Sequence, residues 1–134
     1  MWWLTRVRSD SMEPTLRAGR LVLTRSLRRS TPIRRGDLVV VDHAEVVGRV
    51  LKRVVGLPGE RIEIDGGAVR VDGVPFEELY ASSSYYRGDF HVPAGHYLLL
   101  GDNRDSSSDG RTWRQPYVER SAITGRLSGR CLTA

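Results

Sequence analysis

Ser11 opens the run Ser11-Met12-Glu13-Pro14-Thr15-Leu16, in which a proline halts extended pairing soon after a strand-like stretch, Leu4 to Arg8. This order predicts that Ser11 sits at an exposed strand-to-turn junction, where a hydroxyl can reach a substrate. A serine hydroxyl attacks poorly until a neighbouring base removes its proton. None of the three histidines, His43, His91 and His96, stands in an evident catalytic context. The remaining candidate is Lys52, the only lysine among 21 basic residues. Arginine stays protonated near neutral pH, whereas a desolvated lysine can act as a base.

Lys52 lies within the β-branched stretch Val46 to Val55. Side chains two apart on a strand share a face, so Val50 and Val54 should flank the amine while Arg53 faces the other way. Apolar neighbours disfavour the ammonium form and push a lysine pKa down, the direction a general base requires.

Short β-branched runs bounded by Gly, Pro and Asp recur along the whole chain, and helical periodicity is scarce. The fold class expected is mainly β, with coiled antiparallel sheets or a partial β-barrel and few short helical turns. Expected strands are Leu4 to Arg8, Arg20 to Thr24, Asp37 to Asp42, Val46 to Val55, Arg61 to Ile64, Ala68 to Val71, Tyr97 to Leu100 and Ala122 to Leu127. Arg35-Gly36-Asp37 and Leu57-Pro58-Gly59-Glu60 read as turns, and Asp65-Gly66-Gly67 as a tight hairpin. The polar and aromatic run within 76–89 shows no clear period and reads as a surface excursion, reaching to about residue 95, of one catalytic domain covering 1–134.

The bulk properties narrow the partners. Net charge is +5 and the pI near 10.0, but the basic residues are scattered, which argues against nucleic acid and suits anionic lipid headgroups. Cys131 is the single cysteine, so an intrachain disulfide is excluded, and so near the end it reads as a small packed side chain. The histidines have no metal-ligand spacing and read as surface or loop residues. No stretch approaches the ~20 apolar residues that cross a bilayer. Met1-Trp2-Trp3-Leu4 reads as an interfacial anchor or the remnant of a longer membrane helix, and a cleavable signal peptide is absent.

Four ordered segments carry a resemblance: Ser11 to Leu16, Gly36-Asp37-Leu38-Val39-Val40, Lys52 to Glu60, and Gly101-Asp102-Asn103-Arg104-Asp105-Ser106-Ser107-Ser108-Asp109-Gly110-Arg111. In composition and order they resemble the boxes of type I signal peptidases, over about Val7 to Gly125. The resemblance implies a serine endopeptidase that removes signal peptides from secretory precursors after small residues, of the Ala-x-Ala type. Ser11 would be nucleophile and Lys52 general base, with Ser107 orienting the lysine amine. The Ser11 N–H and the Ser9 hydroxyl would hold the oxyanion. Asp109 and Arg111 would form a bracing ion pair, and Asp102, Asn103, Arg104 and Asp105 a hydrogen-bonded loop beneath the site. Val7, Met12, Leu16, Val50 and Leu51 would line shallow apolar pockets.

The resemblance further implies no metal or cofactor, secretory preprotein partners, contact with the membrane surface, and a place on the extracytoplasmic face of the cell membrane. A complete membrane anchor is not part of the sequence. Gly110 before Arg111, Arg8 where proline or a small residue is frequent, and the missing amino-terminal membrane helix depart from the family pattern. Two other readings stand beside it. One is a self-cleaving repressor-type Ser-Lys protease, which also carries Ser-Met and a later Val-Lys-Arg. The other is a non-catalytic protein that binds precursor tails.

Overall fold

In the computed structural model residues 1–46 and 48–131 are described, without the side chains of residues 129–131. Eleven strands account for most of the regular structure: β1 Trp2–Arg6, β2 Leu21–Ser26, β3 Leu38–Asp42, β4 Arg49–Gly56, β5 Arg61–Asp65, β6 Ala68–Val71, β7 Val74–Phe76, β8 Arg87–His91, β9 His96–Leu100, β10 Tyr117–Glu119 and β11 Ile123–Cys131. Two single 3-10 turns, Arg104–Ser106 and Arg120–Ala122, are the helical elements among the described residues.

The strands form two antiparallel sheets that do not close into a barrel. The larger runs in the order β1-β2-β11-β3-β4-β9-β10, and the smaller β7-β6-β5-β8. The uninterrupted apolar run of β3 follows from its central place, where both faces are covered. Val39 and Val41 join Val54, Leu99, Trp113 and Ile123 in one buried cluster, while Val40 packs on the opposite side with Val7, Met12, Leu16 and Val22. A third cluster, Val55, Ile62, Ile64, Phe90, Leu98 and Leu100, joins the small sheet to the large one. Each fully buried aliphatic side chain of these clusters contributes about 1.5–3 kcal/mol.

All eight expected strands occur, with ends shifted by up to a few residues. β4 starts at Arg49 after a turn, not at Val46, and β11 runs on to Cys131, four residues past its expected end. The Asp65-Gly66-Gly67 hairpin joins β5 to β6, with Gly66 at a φ of +61° that few other residues accept. Glu60 fixes the 57–60 turn by accepting from the Leu57 N–H at 2.6 Å and from both Arg35 guanidinium nitrogens. Strands β7, β8 and β10 were not expected. Each is short, and β8 lies inside the stretch read as an excursion.

His43, read as a surface or loop residue, has an aromatic partner that the sequence did not signal. It follows β3 in a loop, but its ring stacks on Trp113 with centroids 4.1 Å apart and its side chain is largely buried. An aromatic partner 70 residues away in sequence leaves no local signal. The side chain of Cys131 lies outside the described residues. Trp2 and Trp3 fall on β1, an edge strand, with Trp2 exposed and Trp3 half-buried against β2 and β11 near Gly125.

Candidate active site

Ser11 lies in the turns that follow β1, and Lys52 in the middle of β4. The Lys52 amine donates to Ser11 Oγ at 3.1 Å and to Ser107 Oγ at 3.1 Å. Both groups are shielded: Lys52 is 3% exposed and Ser11 8%. Val54 belongs to the cluster of Val39 and Leu99 and Val50 packs against it, so packed aliphatics flank Lys52 along the strand. Burial is the main cause of a lysine pKa below its ordinary range. The Asp109 carboxylate works against it, and the Arg111 guanidinium adds to the depression.

Ser9 Oγ lies 3.2 Å from Ser11 Oγ and accepts from the Ser11 N–H at 3.4 Å. The Ser11 N–H and the Ser9 hydroxyl, the two donors expected to hold an oxyanion, are thus adjacent and bonded within the Ser9–Ser11 turn. The Ser11 carbonyl accepts from the Asn103 N–H at 2.9 Å, and Asn103 Nδ2 donates to the Asp10 carbonyl at 3.0 Å. The turn carrying Ser11 is thus tied to the 101–111 loop on both sides of the hydroxyl.

That loop is a cage of buried charge. Asp109, fully buried, accepts from Arg111 Nε and Nη2, both at 2.9 Å, and from the Gly101 N–H at 2.9 Å. Burial pushes the Asp109 carboxyl up, but the bonds and charge of Arg111, the Gly101 N–H and the Ser107 hydroxyl outweigh it and leave it below the ordinary carboxylate range. Asp102 is fully buried as well. It accepts from Arg53 Nε at 3.0 Å and Nη2 at 2.5 Å, and from Thr15 Oγ1 at 2.5 Å. Arg104 donates from Nε to the Gly101 carbonyl at 2.8 Å. Asp105 is exposed.

A cleft of about 890 Å³ opens in front of Ser11 and Lys52, and Val7, Met12, Val50 and Leu51 are among its walls. Leu16 is not. It packs behind Val7 and Met12 in their shared cluster. Among the described residues no group of three or more His, Cys, Asp or Glu is placed to hold a metal. No helix among them is long and apolar enough to cross a membrane.

Residues 1–132 match the family model described as signal peptidase, peptidase S26. The chain belongs to the S26 signal peptidase family. Within it, this S26 chain is 40% identical to a signal peptidase I of Leptolyngbya laminosa, covering 88% of itself and 63% of the relative. It is 35% identical to a probable signal peptidase I-2 of Synechocystis, covering 88% and 57%. The chain thus spans somewhat less than two thirds of these curated relatives. A crystal structure of a signal peptidase I from Enterococcus faecalis V583 superposes with a TM-score of 0.63 at 29% identity, over 73% of this chain and 98% of that one.

Sequence reasoning missed five polar residues around the candidate site: Thr15, Arg53, Glu78, Tyr80 and Ser82. Arg53, expected to point away, reaches Asp102 from the strand position next to Lys52. Thr15 is the other partner of Asp102. A signal for both was present in principle, because a carboxylate in a loop of mixed charge needs donors if it is buried.

Proposed function

We propose that the chain is a serine endopeptidase that removes signal peptides from secretory precursors. The observation that carries this reading is the 3.1 Å contact between a buried lysine amine and a serine hydroxyl at the floor of a cleft. In the proposed reaction the neutral Lys52 amine takes the proton of Ser11 Oγ as that oxygen bonds to the scissile carbonyl carbon. The resulting oxyanion accepts from the Ser11 N–H and the Ser9 hydroxyl. Collapse breaks the C–N bond, the Lys52 ammonium returns its proton to the departing amine, and an acyl-enzyme on Ser11 remains. A water, deprotonated by Lys52, then frees the carboxylate and Ser11 regains its proton. Ser107 holds the amine on its free side.

The ladder pattern supports extended binding of the substrate. β4 pairs with β3 over Arg49 to Arg53, but with β9 only from Arg53 onward, so the backbone of 49–52 keeps one open edge beside the cleft. A peptide added there gains main-chain hydrogen bonds, and the walls of Val7, Met12, Val50 and Leu51 leave room for small side chains such as alanine. Exposed Met1, just before β1, and Trp2 and Leu4 on it, with the Arg25 guanidinium 5.4 Å from the Trp2 ring, suit contact with the interfacial region of a bilayer, where the precursor's signal segment resides. A position on the extracytoplasmic face belongs to the same proposal.

The test is a peptide with an Ala-x-Ala signal end, incubated with the purified chain in detergent. A single cut after the second alanine is expected, with a rate that rises with pH as Lys52 deprotonates and levels off below the ordinary lysine pKa of 10.5. A rate falling between neutral and mildly alkaline pH overturns the dyad. Retained binding without product favours the non-catalytic reading, and cleavage of one bond within the chain itself favours the self-cleaving one.

A further inference from the structure

Residues 77–86, between β7 and β8, form no ladder, yet apart from Ala81 their burial alternates: Glu78, Tyr80, Ser82, Ser84 and Tyr86 are partly covered, while Glu77, Leu79, Ser83 and Tyr85 are exposed. The covered face lies on the 101–111 loop. Glu78 accepts from Arg104 Nη1 at 2.9 Å and Nη2 at 2.6 Å, with the two side chains 4% and 5% exposed. The Tyr80 hydroxyl donates to Glu78 at 2.8 Å, and the Tyr80 ring lies 3.9 Å from the Arg53 guanidinium that holds Asp102. Ser82 N–H donates to the Asp102 carbonyl at 2.9 Å, and Ser82 Oγ accepts from the Arg104 N–H at 2.8 Å.

Contacts of this segment lead to the amine. Arg104 anchors the Gly101 carbonyl, and its own carbonyl accepts from Arg111 Nη2 at 2.5 Å. Arg111 and Asp109 are the two charged groups that act on Lys52, and Ser107, on the same loop, holds its amine. We propose that Glu78, seconded by Tyr80 and Ser82, is a positioning residue that acts through Arg104 to keep the loop bearing Ser107 closed over Lys52. Without Glu78 a buried guanidinium loses its hydrogen-bonded counter-charge and keeps only the more weakly acting Asp102, so the loop must open to let water reach it. The inference rests on Lys52 being the reacting base, but its test does not depend on turnover alone.

Because Lys52 is the only lysine, protein labelled with 15N-lysine gives one side-chain signal to titrate by NMR. In Glu78→Gln the midpoint is expected to move upward by roughly half a pH unit or more, because burial is the main cause of the depression and an opened loop lets water reach the amine. With peptide substrate, kcat should fall ~10-fold while KM stays within about twofold, since none of the clamp residues lines the cleft. Tyr80→Phe, which removes only one hydroxyl, should shift both in the same direction by less. Leu79→Ser, on the exposed face, should change neither. The double variant Glu78→Leu/Arg104→Met removes the buried charges together and should melt near the parent while kcat stays low. Full turnover in that double variant, or an unmoved amine titration in both Glu78→Gln and Tyr80→Phe, overturns the proposal. A parent chain that cuts no peptide refutes the proposed function and leaves the titration to decide this one.

Discussion

Lys52→Met is expected to abolish peptide cleavage while the protein melts no lower than the parent. Methionine matches the length of the lysine stem but lacks the amine, so Ser11 Oγ loses the group that takes its proton, a loss of roughly three orders of magnitude or more in kcat. Stability should not suffer, because the amine is buried at 3% exposure and its charged form is disfavoured there. Ser11 Oγ keeps Ser9 as a partner at 3.2 Å. Lys52→Arg separates charge from basicity: it keeps a cation that does not deprotonate, and it should be as inactive as the methionine variant. Ser11→Ala should match either, and the Ser11→Ala/Lys52→Met double variant should be no worse than the worse single, since the two groups act as one unit. Steady-state kinetics with the Ala-x-Ala peptide and thermal melts monitored by circular dichroism check all four. Measurable turnover by Lys52→Met at the parent rate would remove the mechanism altogether.

How much of this was legible beforehand depends on the range of the interaction. Strands such as β3 and β5 were readable because their valines and isoleucines are packed from the pleat they occupy, and the turn residues between them are local in their effect. Ser11 and Lys52 were legible from residue type and a break in the strand pattern. Their meeting was not, because 41 positions separate them and it takes the β1-β2-β11-β3-β4 ladder, the packing of Met12 on Val40 and the tie from Asn103 to the Ser11 carbonyl to bring them together. The short strands β8 and β10 lack a long apolar alternation and are held chiefly by neighbours far off in sequence.

Residues 77–86 show the limit most clearly. Glu, Tyr and Ser carry no apolar period, so the segment reads as solvated, yet Glu78, Tyr80 and Ser82 are covered for polar reasons. Hydropathy patterning registers which side chains avoid water, and a buried ion pair satisfies that condition only through a partner elsewhere in the chain. For the same reason the partner of Arg53 was not foreseen. Strand alternation gave its face, and the carboxylate waiting on that face came from a loop 49 residues later.

Gly101→Ala should cost ~10²-fold in kcat, more than Ser107→Ala, although it adds only one methyl group. A Cβ at this position would stand 2.1 Å from Ser107 Oγ, 2.5 Å from Ser107 Cβ and 2.7 Å from the Ser11 carbonyl oxygen. The Gly101 backbone has little freedom to retreat, since its N–H donates to Asp109 at 2.9 Å and its carbonyl accepts from Arg104 at 2.8 Å, both partners being buried and charged. The neighbours must therefore give way. Ser107 moves off the amine, and the Ser11 carbonyl, tied to the Asn103 N–H, moves with the nucleophile's turn. Ser107→Ala removes the first of these groups and leaves the second in place, so it isolates the orienting bond from the displacement. The strain should lower stability by about 1–3 kcal/mol. Trimming Ser107 to alanine in the Gly101→Ala background should restore little, because the contacts with Ser107 Cβ and the Ser11 carbonyl remain. A Gly101→Ala enzyme with parental kcat would mean that the loop is looser than its buried charges require, and that the distance between Ser11 and Lys52 is not set from this side of the site.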